Sequence, residues 1–233
     1  MIAAAGLAVA CSATACREEV DGFELEGDAT YLLPPTGRAI EFTVDSIVYD
    51  PAVGGTSRDS TRSLWRLRTL RAAEGEVLYE VDVLRDGERI GGFLWAWEAR
   101  ERRSVNTLDG VALVGLIAPF TPATTWDPLV YADPELEVSV AGEPLAAYKR
   151  WGGSIDSTSD YDLPHATPIR AVWVTLADDE NLLELRQVHE VYGAGEGLLE
   201  RRARILDTQN TNNAIAWSER AERGFEIHLK RSR

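Results

Sequence analysis

Residues 76–99 read EVLYEVDVLRDGERIGGFLWAWEA, and this stretch decides the fold. Val77, Tyr79, Val81 and Val83 recur at every second position, with Glu80 and Asp82 between them. That period gives an extended chain one apolar and one polar face, as in a half-buried strand. Asp86-Gly87 follows, a pair that tolerates positive φ and is the strongest short-range hairpin signal. Beyond it, Phe93, Trp95, Trp97 and Ala99 form a second apolar face. The stretch predicts two antiparallel strands joined by a tight turn.

The same period extends in both directions. Ile40, Phe42 and Val44 alternate with Glu41, Thr43 and Asp45. Trp65, Leu67 and Thr69 alternate with Arg66 and Arg68, and Leu136, Val138 and Val140 with Glu135, Glu137 and Ser139. Val111, Leu113 and Ile117 lie in a continuous apolar run, as in a strand buried on both faces. Ala171, Trp173 and Thr175 sit in a β-branched run. Turn signals separate these runs: Gly54-Gly55, Asp109-Gly110, Ala141-Gly142, Asp178-Asp179 and the glycines from Gly193 to Gly197. Roughly eight to eleven strands at this spacing predict a mainly β fold, an antiparallel meander forming a barrel, half-barrel or sandwich. At most one or two short helices are expected. One or two helical turns are read over Pro144–Arg150. Residues 179–190 fit neither period cleanly and are read as strand in their second half. The polar stretch from Trp151 to Pro168 is read as the longest loop.

The chain has 233 residues, 45% hydrophobic and 27% charged, a globular composition with enough apolar side chains for one sizeable core. Its net charge is −14. An acidic body repels phosphate backbones and anionic headgroups, so no nucleic-acid partner is expected of the folded part.

Residues 1–16 read MIAAAGLAVACSATAC, without a charged side chain, and Arg17-Glu18-Glu19 follows. Short, small and apolar, this is the pattern of a secretory signal rather than of a spanning helix. Small residues precede both Cys11 and Cys16, as in the lipobox of bacterial lipoproteins. Cys16 is the expected lipidation site, with Cys11 as the alternative. Plain secretion after an A-x-A cut is the other reading. The chain divides into a signal peptide (1–16), a flexible tether (17–37) and a single β domain (38–233). Outside the leader there is no cysteine, which excludes disulfides, thiolate metal sites and cysteine nucleophiles from the body.

Ile40–Asp50 (IEFTVDSIVYD) resembles the opening strand of a family of uncharacterised Bacteroidota lipoproteins. Ile117–Trp126 (IAPFTPATTW) and Asp179–Leu199 (DENLLELRQVHEVYGAGEGLL) are similar to later segments of that family, and Phe225–Lys230 to its closing strand. The likeness spans about residues 39–231, although the family's Gly within the Phe120–Trp126 segment is absent here. It implies an antiparallel β domain on an outer-membrane lipid anchor, facing the periplasm or the cell surface. It implies no activity and no catalytic residue.

No catalytic, metal or cofactor motif stands out, and none is assigned. The Gly193–Gly197 cluster lacks the dinucleotide-binding spacing and reads as a hairpin. His165, His189 and His228 are widely separated and have no cysteine to join them at a zinc site. Asp156, Asp160 and Asp162 lack the closing glutamate of a calcium loop. Trp95 and Trp97 share one strand face: packed inside they are core, and along an open groove they are the candidates for ligand-facing aromatics. Three functions fit this pattern. The first is a lipid-anchored envelope module that binds a protein or serves structure. The second is a carrier of a lipid or other apolar ligand in a half-barrel. The third is an envelope hydrolase. An empty apolar cavity favours the carrier, a convergent polar cluster in a pocket the enzyme, and a filled core with an exposed aromatic patch the module.

Overall fold

The computed structural model describes residues 29–51, 57–164 and 166–233. The leader with Cys11 and Cys16, the Gly54-Gly55 turn, His165 and most of the expected tether lie outside these residues.

The described residues form fourteen strands and two four-residue helices. One wing is built from β1 (Ile40–Asp50), β2 (Ser57–Ala73), β3 (Glu76–Arg85), β4 (Glu88–Arg100), β5 (Arg103–Leu108) and β6 (Val111–Ile117), each paired with the next. The other wing runs through β7 (Thr125–Trp126), β10 (Gly153–Tyr161), β11 (Ile169–Glu180), β12 (Glu184–Gly193), β13 (Gly197–Asp207) and β14 (Arg223–Arg231). Pairing of β1 with β14 joins the wings into a single antiparallel sheet of twelve strands. β8 (Glu137–Val140) and β9 (Glu143–Ala146) make a separate hairpin. The meander is the one expected from the alternating runs. The strand count is higher than the sequence predicts, because polar stretches also pair.

The hairpin signals act as their backbone chemistry requires. Asp86 and Gly87 have φ of 52° and 84°, and Asp109 and Gly110 have 50° and 81°. Two consecutive positive φ values match the right-handed twist of the flanking strands.

The sheet curls until its two edges meet. The Trp126 indole N–H donates to the Val114 carbonyl at 2.8 Å, and the Val114 N–H donates to the Pro128 carbonyl at 2.9 Å. β6 and the β7 segment thereby cap each other's edge, leaving a nearly closed barrel. Gly153 makes the seam possible: a Cβ there would stand 2.3 Å from the Trp126 ring.

Two segments fill the ends. Residues 29–35, which include α1 (Ala29–Leu32), cross one end from wing to wing. There the Gly195 N–H donates to the Thr30 carbonyl, the Ser104 hydroxyl to the Leu32 carbonyl and the Tyr79 hydroxyl to the Pro35 carbonyl. Tyr31 and Leu32 are buried in the main core with Trp95 and Trp97. The tether expected over 17–37 therefore does not extend through Tyr31–Pro34, whose apolar side chains are part of the domain. At the other end the β8–β9 hairpin and residues 147–151 pack inward. Leu145 is fully buried, and the Arg186 Nε donates to the Ala146 carbonyl at 3.1 Å. A short helix α2 (Trp217–Arg220) covers the outside near Tyr49, Leu185 and Leu206.

Three further expectations are corrected. Pro144–Ala146 is strand rather than helix, since its partner Glu137–Ser139 already presents the alternating pattern. Half of the expected loop 151–168 is β10, whose Asp156, Ser157 and Asp160 side chains are exposed while its backbone pairs with β11. Asp178-Asp179 is not a turn but the end of β11, opposite Gln187 and Arg186.

Replacing Gly153 by Ala drives a methyl group into Trp126 and opens the seam. Chemical denaturation of Gly153→Ala is expected to show a loss of about 1–3 kcal/mol, with the Trp126 indole resonance shifted in the NMR spectrum.

Candidate ligand cavity

Period-two alternation aims one side chain in two from each strand into the barrel. From β2 and β4 these are Trp65, Phe93, Trp95 and Trp97, whose rings form a chain of edge and tilted contacts. Trp65 and Phe93 lie 4.9 Å apart between centroids, and Trp95 and Trp97 lie 5.1 Å apart. From β14 they are Phe225, Ile227 and Leu229, and from β13 Arg201, Ala203 and Ile205. These walls do not meet. Between them and the 147–151 segment lies a cavity of about 160 Å³. Its lining is apolar except at Tyr148 and Arg201.

The structure separates the two aromatic candidates. Trp95 lines this cavity. Trp97 is 2% exposed and packs against Trp95 and Tyr192 outside the lining. Trp65 and Trp151, not singled out in the sequence, line it as well. Alternation places Trp65 on an inward face. That Trp151 joins it depends on the turn at 147–150, which has no period to read.

A polar junction is buried beside the cavity. The Glu190 carboxylate accepts from the Tyr192 hydroxyl at 2.5 Å and faces the Arg201 Nε at 3.1 Å. Gly115 on the opposite wing gives them room. A Cβ there would stand 2.1 Å from the Tyr192 hydroxyl and 3.2 Å from both Glu190 and Asn106. Burial pushes the Glu190 carboxyl up, against the opposing pull of Arg201 and the Tyr192 hydrogen bond. Burial, then the neighbouring Glu190 carboxylate, raises the Tyr192 hydroxyl well above its ordinary value. The cluster is not a reaction centre on this geometry. The hydroxyl and the guanidinium both serve the carboxylate, and Gly115 closes over them.

The segment that carries Tyr148 and Trp151 is held by ions. Lys149 Nζ bonds Glu184 at 3.1 Å, while Arg150 bonds Glu184 and Asp179, both at 2.6 Å. Burial alone would raise the Glu184 carboxyl. Arg150 and Lys149 outweigh it and hold the group at about 2.

On the outer face, strand register makes neighbours of residues far apart in sequence. His189 and His228 lie opposite Arg202 from either side. The Thr175 hydroxyl donates to Asp156 at 2.8 Å and stands 3.0 Å from His189 Nδ1. A hydroxyl that gives its proton to a carboxylate is not poised for deprotonation by the imidazole. His228 Nε2 lies 2.9 Å from Glu200, which also accepts from Tyr161 and Arg202. Asp160 stands 4.0 Å from Arg170, apart from Asp156 with its Thr175 partner. Among the described residues no three His, Cys, Asp or Glu side chains converge as a metal site would need.

Two outcomes test these assignments. Gly115→Ala displaces the Tyr192 hydroxyl from Glu190 and should cost about 1–3 kcal/mol. Glu184→Gln tests the ionic clamp. A carboxyl held below its unfolded value contributes stability above the ordinary carboxylate range, and loses it as pH falls toward about 2. The variant should therefore be less stable at pH 7, by on the order of 1 kcal/mol after solvent screening. In urea titrations across pH it should converge with the parent near pH 2.

No protein-family model matches the chain, and no curated protein matches it. Among solved structures it is similar to a Bacteroides fragilis chain described as an exported protein with a YmcC-like fold. The two are 9% identical with a TM-score of 0.39, over 87% of this chain and 98% of the other.

Proposed function

We propose that this protein is an exported, lipid-anchored envelope module that binds a small apolar molecule inside its barrel. One observation carries the reading: an apolar cavity of about 160 Å³ sits between the β13–β14 wall, the aromatic wall and the 147–151 segment. Apolar cavities of about 150 Å³ can stay dry and take a benzene-sized guest. A filled core with an exposed aromatic patch, the mark of a purely structural module, fits this interior less well. An enzyme would need a nucleophile or base free to act in the pocket, whereas the Glu190 carboxylate is engaged by the Tyr192 hydroxyl and the Arg201 Nε.

Export and anchoring rest on the leader. Its apolar run ends at Cys16, where two or three acyl chains would each add about 0.8 kcal/mol per buried methylene and hold the chain on a membrane. The likeness of Ile40–Asp50 and Asp179–Leu199 to Bacteroidota lipoproteins supports the outer membrane as that membrane.

Intact mass spectrometry of the protein extracted from its own cells tests both parts. Under denaturing conditions the expected mass is that of a chain beginning at Cys16 plus acyl groups. An unmodified chain, or one with another start, removes the anchor. Under native conditions a small added mass that is lost on denaturation supports the carrier, and its absence at every cone voltage counts against it.

A further inference from the structure

Beside the indole N–H of Trp95, the polar groups of the cavity wall are Arg201 and Tyr148, and each has donors without a protein acceptor among the described residues. Arg201 reaches the lining from β13, with 14% of its side chain exposed. Its Nε faces the Glu190 carboxylate at 3.1 Å, and among the described residues its two terminal NH2 groups have no acceptor. With Nε turned to Glu190, four N–H groups of the planar fork remain for an acceptor that enters the cavity. Tyr148 reaches the same lining from the opposite side, on the segment clamped by Lys149 and Arg150. Its hydroxyl has no partner among the described residues. Burial raises the Tyr148 hydroxyl above its ordinary value, and the Arg201 guanidinium pulls it the other way.

We propose that the cavity takes a small amphiphilic carboxylate, its apolar body against Trp65, Trp95 and Phe225 and its carboxylate on Arg201 and Tyr148. This rests on the reading of the cavity as a ligand site. The chemistry selects the head group. An acceptor-only group with two oxygens matches the fork of a guanidinium and still has a lone pair for a phenol. A neutral alcohol offers a weaker acceptor and would leave N–H groups unmet. A phosphate dianion would meet Glu190 on the far side of the same guanidinium, where the carboxylate already bonded to Nε opposes a second full charge. The volume selects the body: about six carbons, as a ring or a short chain, fill a space that admits a benzene-sized guest. The whole acyl chain of a membrane lipid exceeds it.

The test uses the full chain, titrated with hexanoate, methyl hexanoate and hexan-1-ol. Calorimetry and the fluorescence of the wall tryptophans are the readouts. Hexanoate is expected to bind about tenfold more tightly than the ester or the alcohol. In Arg201→Gln the preference should shrink to within about twofold, while the affinity for the alcohol is kept. Tyr148→Phe should lose part of the preference with an unchanged melting temperature. The ligand series decides the question even if Arg201→Gln fails to fold. Equal binding of all three probes would overturn the carboxylate assignment and leave the apolar site standing. If none of the three binds, the ligand site falls with it.

Discussion

A twelve-stranded sheet that curls edge to edge encloses more space than its own inward side chains can fill. Barrel width grows with strand number, and about eight strands already leave an interior that side chains just occupy. The rest of this structure answers that constraint. Residues 29–35 cross one end with Tyr31 and Leu32 pointing into the core. The β8–β9 hairpin and the 147–151 turns close the other, tied to the wall by Arg186 and Glu184. Filling is incomplete, and the remainder is the cavity beside Trp65, Trp95 and Arg201. The cavity is thus a consequence of strand number and of how far the two plugs reach.

The polar junction within the barrel bears on the same geometry. Asn106 and Gly115 belong to one wing, Glu190, Tyr192 and Arg201 to the other, and they meet around the missing side chain of Gly115. Burying these groups costs several kcal/mol of hydration, which the hydroxyl–carboxylate bond and the ion pair offset only in part. An apolar contact would hold the wings as well. A polar one, however, accepts fewer alternative registers, since a slip of one residue would turn Glu190 outward and leave Arg201 alone. The indole N–H groups of Trp95 and Trp97 also lack partners among the described residues, so this end of the interior is not packed for greatest stability.

The exterior of β1–β4 is a different environment. Arg62 pairs with Asp45, Arg66 with Glu41, and Arg68 and Arg89 share Asp82 and Glu80. Such cross-strand pairs contribute little singly. They make this face one for water, unlike the apolar band that a lipid-facing barrel presents. Lipid contact, on the proposed reading, is left to the leader.

Sequence alone determined the strand chemistry. Alternation in Val77–Val83 and Phe93–Ala99, and the Asp-Gly turns, fixed extended segments and reversals, because period and positive φ are local properties. It also supplied Trp95 as an aromatic of interest and the expectation of a secretory leader ending at Cys16. Tertiary structure alone decided which edges meet, since Trp126 reaches Val114 only after the sheet has curled through all twelve strands. It likewise turned the polar run after Trp151 into β10, which has no apolar face to announce it and is held by backbone pairing. The candidate site belongs to this second class. Tyr148, Trp151 and Arg201 lie up to 53 residues apart and sit on a turn and on the inward face of a strand. Nothing local marks an arginine as inward when Arg202 beside it faces out. Only the register of β13 between β12 and β14 fixes that side, and register is a property of the closed sheet.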